Sequence, residues 1–253
     1  LSKNRYFAVE CPIMTLLRLA FRRQTAIPML ALLFASMTSV VLVVARICWT
    51  GQFLYTFLIW NLFLAWLPLL FALLASEQYR SGTARGWRFW SLTGAWVLFF
   101  PNAPYIFTDL IHLTSRKLPH FWVDLTPILL CALTGFVVGF LSLYLMQSVV
   151  RHRFGIIAGW AFIAAMAGLS AVGIYVGRFL RFNSWDVVTK PRELYAGVGS
   201  WVTDPFGHPN AAFPVLFAGF LFITYLMLYA LTHLRPDPEA VPARVGAQAV
   251  KAA

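Results

Sequence analysis

The chain has 253 residues, of which 60% are hydrophobic and only 11% charged, where an ordinary soluble domain carries about a quarter charged residues. A mean hydropathy of +0.73 excludes a water-soluble body and marks an all-α integral membrane protein. The formal charge of +11 would point to nucleic acid in a soluble chain, but in a membrane protein such an excess reflects basic loops on the cytoplasmic side. No nucleic-acid partner is therefore expected.

Residues 1–26 carry Lys3, Arg5, Arg18, Arg22 and Arg23 and show no small-residue cleavage site after a short apolar run, which argues against a cleaved signal peptide. MTLLRLAFRRQ, Met14 to Gln24, reads either as a basic amphipathic lead-in on anionic cytoplasmic lipid or as a solvated basic tail. A span needs about 20 apolar residues, and about six stretches come close. They are Ile27 to Cys48, Phe53 to Ala75, Trp87 to Phe107, Val123 to Val150, Gly155 to Gly177 and Ala211 to Leu231. Residues 27–232 thus form a single membrane domain. Residues 233–253, rich in Pro and Ala, read as a disordered cytoplasmic tail.

Lys and Arg placement sets the expected orientation. With both termini in the cytoplasm, the N-terminal basic residues, Arg80, Arg85, Arg88, Arg151, Arg153 and the basic residues of the tail fall inside. Arg46, Arg116, Lys117, Arg178, Arg181, Lys190 and Arg192 fall outside and are fewer.

In the second span, Asn61 puts an amide near mid-membrane, where a bond to a neighbouring helix is expected before a bond to a substrate. The third span is interrupted at Pro101-Asn102-Ala103-Pro104, inside FFPNAPYIFTDLIHL. Both prolines lack a backbone donor, and Asn102 suits the cap of a new helix with Pro104 in its first turn. In that helix Tyr105, Thr108, Asp109 and His112 fall at i, i+3, i+4 and i+7, on one face. The stripe faces either the bundle interior and a wet cavity or the outer interface, because lipid would not solvate it.

Asp124 opens the fourth span on the same side. The fifth span has G-x-x-x-G at Gly155/Gly159 and Gly173/Gly177, which predicts the most tightly surrounded helix. Its end, GRFLRFNSWD, places Arg178 and Arg181 at i,i+3, where they either snorkel to headgroups or pair with Asp109 or Asp124 or with a bound anion. Asn183 and Asp186 have the spacing of a capping pair. Residues 187–210, with Lys190, Arg192, Glu193, Asp204 and His208, read as an exposed loop able to act as a lid. Cys11, Cys48 and Cys131 lack metal or redox spacing, and no metal or other cofactor is indicated.

Four motifs, WNLFLAWLP (Trp60 to Pro68), LFFPNAPYIFTDLIHL (Leu98 to Leu113), GFLSLYLMQ (Gly139 to Gln147) and GRFLRFNSWD (Gly177 to Asp186), together resemble the bacterial multi-pass membrane family known as domain of unknown function 1361. The resemblance runs from about Phe53 to Leu231 and implies a bacterial cytoplasmic-membrane protein. It implies no activity.

The expected ligand-binding set is Asn102, Tyr105, Thr108, Asp109, His112, Asp124, Arg178, Arg181, Asn183 and Asp186. The leading expectation is a membrane binding module, or an accessory subunit of a membrane complex, with an outward-facing polar, anion-binding pocket. Its partners would be the bilayer, anionic lipids at the cytoplasmic face and other membrane subunits. One alternative is an outer-leaflet enzyme acting on a lipid-linked phosphate, with His112 as general acid/base and Asp109 orienting it. The other is a small-solute or ion transporter built on the broken helix.

Overall fold

The computed structural model describes residues 26–53, 55–84, 86–113, 121–182, 186–203 and 212–233, and every regular element among them is helical. The basic N-terminal stretch, Arg85, Arg116, Lys117, Asn183, Asp204, His208 and the Pro/Ala-rich tail lie outside the described residues. In chain order the elements are α1 (Ala26–Thr50), α2 (Thr56–Arg80), α3 (Trp87–Phe99), α4 (Asn102–Tyr105), a 3-10 helix (Ile106–Leu113), α5 (Phe121–Phe154), α6 (Ile156–Arg178), α7 (Asp186–Thr189), α8 (Pro191–Thr203) and α9 (Phe213–Thr232). Five of them, α1, α2, α5, α6 and α9, are long and apolar enough to cross a membrane, so the chain is a multi-pass helical membrane protein. At a rise of about 1.5 Å per residue, even the shortest, the 20-residue α9, matches a hydrocarbon core of about 30 Å.

The helix at the centre is α5, not α6. Of the most apolar stretch of α5, 61% of residues are buried, against 33% in α6. α5 packs against α1, α2, α4, the 3-10 helix and α6, while α9 lies against α6. The G-x-x-x-G pairs of α6 marked a place of close approach, but a second pair, Gly135 and Gly139 in α5, is the tighter one. A Cβ on Gly135 would lie 2.6 Å from Ile106 Cγ2, and one on Gly139 2.7 Å from Ala103 Cβ. On the other side, a Cβ on Gly173 would lie 3.1 Å from the Pro101 ring, and one on Gly177 3.3 Å from the Tyr105 ring. The broken segment is thus held between two glycine faces. Gly155 alone joins α5 to α6, at φ 91° and ψ 175°, a conformation that suits glycine because a Cβ would clash there.

The third candidate span is built from pieces: α3 has only 13 residues, α4 has four and the 3-10 helix eight. The composite retraces α2 in the opposite direction. Phe71 meets Phe99 at 5.9 Å between ring centroids, Asn61 bonds Asp109, and Phe57 meets His112 at 4.9 Å.

The break is milder than stop, cap and restart. Phe100 and Pro101 keep right-handed helical dihedrals, and Asn102 faces backwards, donating from Nδ2 to the Phe99 carbonyl at 3.0 Å. With that carbonyl taken, the Ala103 N–H turns to Phe100 at 3.1 Å, the acceptor that Pro104 has no N–H to reach. Asn102 therefore caps the end of α3, and after the single turn of α4 the chain tightens into 3-10 geometry instead of continuing as an α-helix.

Contacts between helix termini define two ends of the bundle. One holds the C-termini of α1 and α6, the N-termini of α2 and α5 and the end of the 3-10 helix, joined by Arg46–Asp124, Phe57–His112 and Arg178–Asp109. The other holds the C-termini of α2, α5 and α9, joined by Tyr79–His152 and Arg151–Tyr229.

Candidate functional site

The 3-10 helix organises the first of these ends. With about three residues per turn, Ile106, Asp109 and His112 form one row, and Tyr105, Thr108 and Ile111 the next. Ile106 packs into the apolar core with Leu58, Leu62 and Ile128, which draws Asp109 inward until it is 1% exposed. A carboxylate so buried needs strong partners. Asp109 Oδ1 accepts from Arg178 Nη2 at 2.7 Å, and Oδ2 accepts from Asn61 Nδ2 at 2.7 Å. The same guanidinium donates from Nε to Thr108 Oγ1 at 3.1 Å and lies 4.9 Å from the centroid of the Tyr105 ring. Thr108 in turn donates to the Tyr105 carbonyl at 2.7 Å.

Arg178 therefore spans both rows and ties α6 to the broken segment, while Asn61 adds α2. Its position in the last turn of α6 also suits the negative end of the helix dipole. The sequence leaves open whether Arg178 takes Asp109 or Asp124; the structure gives it Asp109. Asp124 pairs instead with Arg46 of α1, and both side chains are buried. The Asp124 Oδ2 atom has no hydrogen-bond partner among the described residues. The sequence counts Arg46, near the end of the first span, only as an outer-face charge. Arg46 is instead a buried member of a second ion pair, masked in the sequence because hydropathy alone cannot tell a helix-end cation facing inward from one facing water.

The remaining expected residues spread out. His112 is 41% exposed, with Nε2 3.9 Å from Asp109 Oδ1, an ion-pair distance beyond hydrogen-bond reach. Arg181 does not share a helix face with Arg178, because α6 ends at Arg178 and the chain turns away at Arg181, which has φ 60° and is exposed. The Phe182 N–H closes that turn on the Val176 carbonyl at 3.2 Å. Asp186, at the start of α7, is buried and accepts from the Thr189 hydroxyl at 3.0 Å. Asn183 lies outside the described residues.

Asn102 and Tyr105 border a cleft of about 310 Å³ between the break and α6. Leu98, Leu169, Val172 and Gly173 line it, and Leu194 and Val198 come from α8. Residues 191–203, expected as exposed loop, thus form a helix that lies along this cleft. Proline at its start and apolar residues four apart, Leu194 and Val198, explain the helix. A Cβ on Gly197 would lie 3.1 Å from Leu180 Cδ1, so this glycine serves close packing.

The arrangement is a locked, charge-neutral network beside an apolar cleft. Arg178 is already neutralised by Asp109, so the group is not an open receptor for an anion. Both Asp109 oxygens are engaged by Arg178 and Asn61, and His112 Nε2 lies beyond hydrogen-bond reach of Asp109 Oδ1. Among the described residues, no three of His, Cys, Asp and Glu converge as a metal set.

Residues 60–227 match the family model described as protein of unknown function, DUF1361. No curated protein and no solved structure matches the chain. The matched region takes in Asn61, Asp109, Arg178 and the whole cleft lining, and leaves out α1 with Arg46. By that match over most of its length, the chain belongs to the DUF1361 family.

Proposed function

We infer that the protein is a membrane binding module that holds an amphiphilic ligand in the cleft between the broken segment, α6 and α8. The observation that carries this is the cleft itself: its walls are mostly apolar, with the side chains of Asn102 and Tyr105 at one border, and a few placed polar groups in an apolar concavity are how small-molecule sites orient a ligand. The apolar part of the ligand occupies the space between Leu169, Val172 and Val198. Its polar group lies toward Asn102 and Tyr105. The Asp109–Arg178–Asn61 network stiffens that border without offering a spare charge, which favours an uncharged or shielded polar group over a bare anion.

In this reading the broken segment makes a sixth crossing, since it retraces α2 from the level of Phe71 to that of Phe57. Both termini lie in the cytoplasm of a cell whose inner membrane holds the protein, and the cleft opens toward the outer face. The exposed cations Arg80, Arg88, Arg151 and Arg153 at the opposite end support that orientation.

The test is native mass spectrometry of protein extracted gently from its own host membrane. Leu169→Trp and Val198→Trp fill the cleft, and each is expected to remove a bound small molecule while the thermal midpoint stays near the wild-type value. A small molecule retained by both variants, or none found on the wild type, would sink the reading. A stoichiometric protein in place of a small molecule would make the cleft face a subunit contact.

A further inference from the structure

At the end of the bundle away from the cleft, α5 presents Tyr144, Gln147, Ser148 and Arg151 at i, i+3, i+4 and i+7, on one face. α9 presents Tyr225 and Tyr229 across from it, with His233 just beyond its last turn. α9 packs on α6 and reaches α5 through long side chains: Tyr225 donates to Gln147 Oε1 at 2.6 Å, and Arg151 Nη1 donates to the Tyr229 hydroxyl at 2.9 Å. Between them is a space of about 360 Å³ lined by Tyr144, Gln147, Ser148, Arg151, His152 and Tyr229.

Among the described residues no carboxylate lines this space and Arg151 has no ion pair. The guanidinium is nevertheless held in place, because Tyr229 fixes one of its five N–H groups and leaves the rest to donate. Tyr229 accepts that bond and keeps its own O–H, and Tyr144 and Ser148 add further hydroxyls. Exposed Phe154, Ile157 and Leu231 surround the same end, an apolar setting suited to acyl chains. We propose that this space is a phosphate site that takes the headgroup phosphate of an anionic lipid. Oriented guanidinium and hydroxyl donors without a competing carboxylate suit a tetrahedral oxyanion, and basic gaps between membrane helices are where anionic headgroups lodge. The site is separate from the cleft and does not depend on the reading given above.

Phosphatidylglycerol binding to the full chain in detergent, followed by native mass spectrometry with phosphatidylcholine as the zwitterionic control, tests it. The wild type is expected to retain phosphatidylglycerol preferentially. Arg151→Gln weakens that binding about tenfold, as loss of a charge-assisted bond does. Arg153→Gln, which removes the same charge two residues away, changes it less than about twofold. Tyr229→Phe falls between, since the charge stays while its orientation is lost. If millimolar inorganic phosphate displaces the lipid, the phosphate chemistry stands and its source is soluble phosphate; if it does not, the source is the lipid. Equal effects of Arg151→Gln and Arg153→Gln, or a wild type that retains neither phosphatidylglycerol nor phosphate, overturn the proposal.

Discussion

The two ends of the bundle handle positive charge in opposite ways. At the cleft end, Arg46 and Arg178 are drawn inward, each paired with a buried aspartate. At the other end, Arg80, Arg88, Arg151 and Arg153 are exposed, and Arg88 and Arg153 lie over the rings of Trp87 and Phe154. Arg46 and Arg178 are thus internal cement, while Arg181 beside them and the arginines at the other end are surface groups. Asp109 and Asp124, the aspartates that pair with arginines, both sit at the cleft end, whereas Glu77 in the last turn of α2 at the other end makes no ion pair among the described residues. The difference teaches that the stability of the membrane domain and its surface chemistry are separated in space, and substitutions at the two ends should separate them in measurement.

The largest effect is expected from Arg178→Met. It leaves a carboxylate that is 1% exposed without its cation, a change that costs about 3–5 kcal/mol. Denaturant unfolding in detergent, followed by tryptophan fluorescence, reads it. Adding Asp109→Asn should recover more than half of the loss, because the uncompensated charge is then gone; a double variant no better than the single one would show that the two side chains are not coupled. Arg151→Gln at the opposite end should leave the same unfolding curve nearly unchanged.

Next come the glycines that admit the broken segment. Gly135→Ala and Gly139→Ala push a Cβ to within 2.6 and 2.7 Å of Ile106 and Ala103, and each should cost about 1–3 kcal/mol by overpacking. Gly168→Ala in α6 meets nothing within 4 Å, and should be neutral or stabilising by up to about 1 kcal/mol. If all three behaved alike, the close contact between α5 and the break would not be what holds it.

Asn61→Leu removes one of the two strong bonds to Asp109 and should cost about 1–2 kcal/mol in the same assay. It sharpens the comparison because the amide, not a second cation, completes the neutral network. The smallest effect belongs to Arg181→Gln. Turned out at φ 60° and exposed, Arg181 should contribute within about 0.5 kcal/mol, although it is only three residues from Arg178.

Much of the fold was legible in the residues. The five long helices begin and end within a few positions of their apolar runs, and the prolines at 101 and 104 marked the interruption. The site was legible in part. Tyr105, Thr108, Asp109 and Arg178 do meet, and the polar stripe announced three of them. Asn102 pointed the other way because its amide took the Phe99 carbonyl behind it, not an N–H ahead of it. The i,i+3 relation of Arg178 and Arg181 failed because the helix stops between them. Gly135 and Gly139 carried a signal as good as that of Gly173 and Gly177, in the run GFVVG, and it was the more consequential pair.

What the sequence alone determined is the membrane class, the long spans and the place of the break. These depend on local sums: apolar residues transfer to hydrocarbon one by one, and a proline deletes its own N–H wherever it stands. Only the tertiary structure decided that α5 is central, that Asp109 belongs to Arg178 and Asp124 to Arg46, and that residues 191–203 are helical beside a cleft. Those outcomes depend on which helices come close together. A buried carboxylate takes the nearest cation whose backbone can approach, and that approach is set by glycines and ring edges on other helices, which no local pattern records.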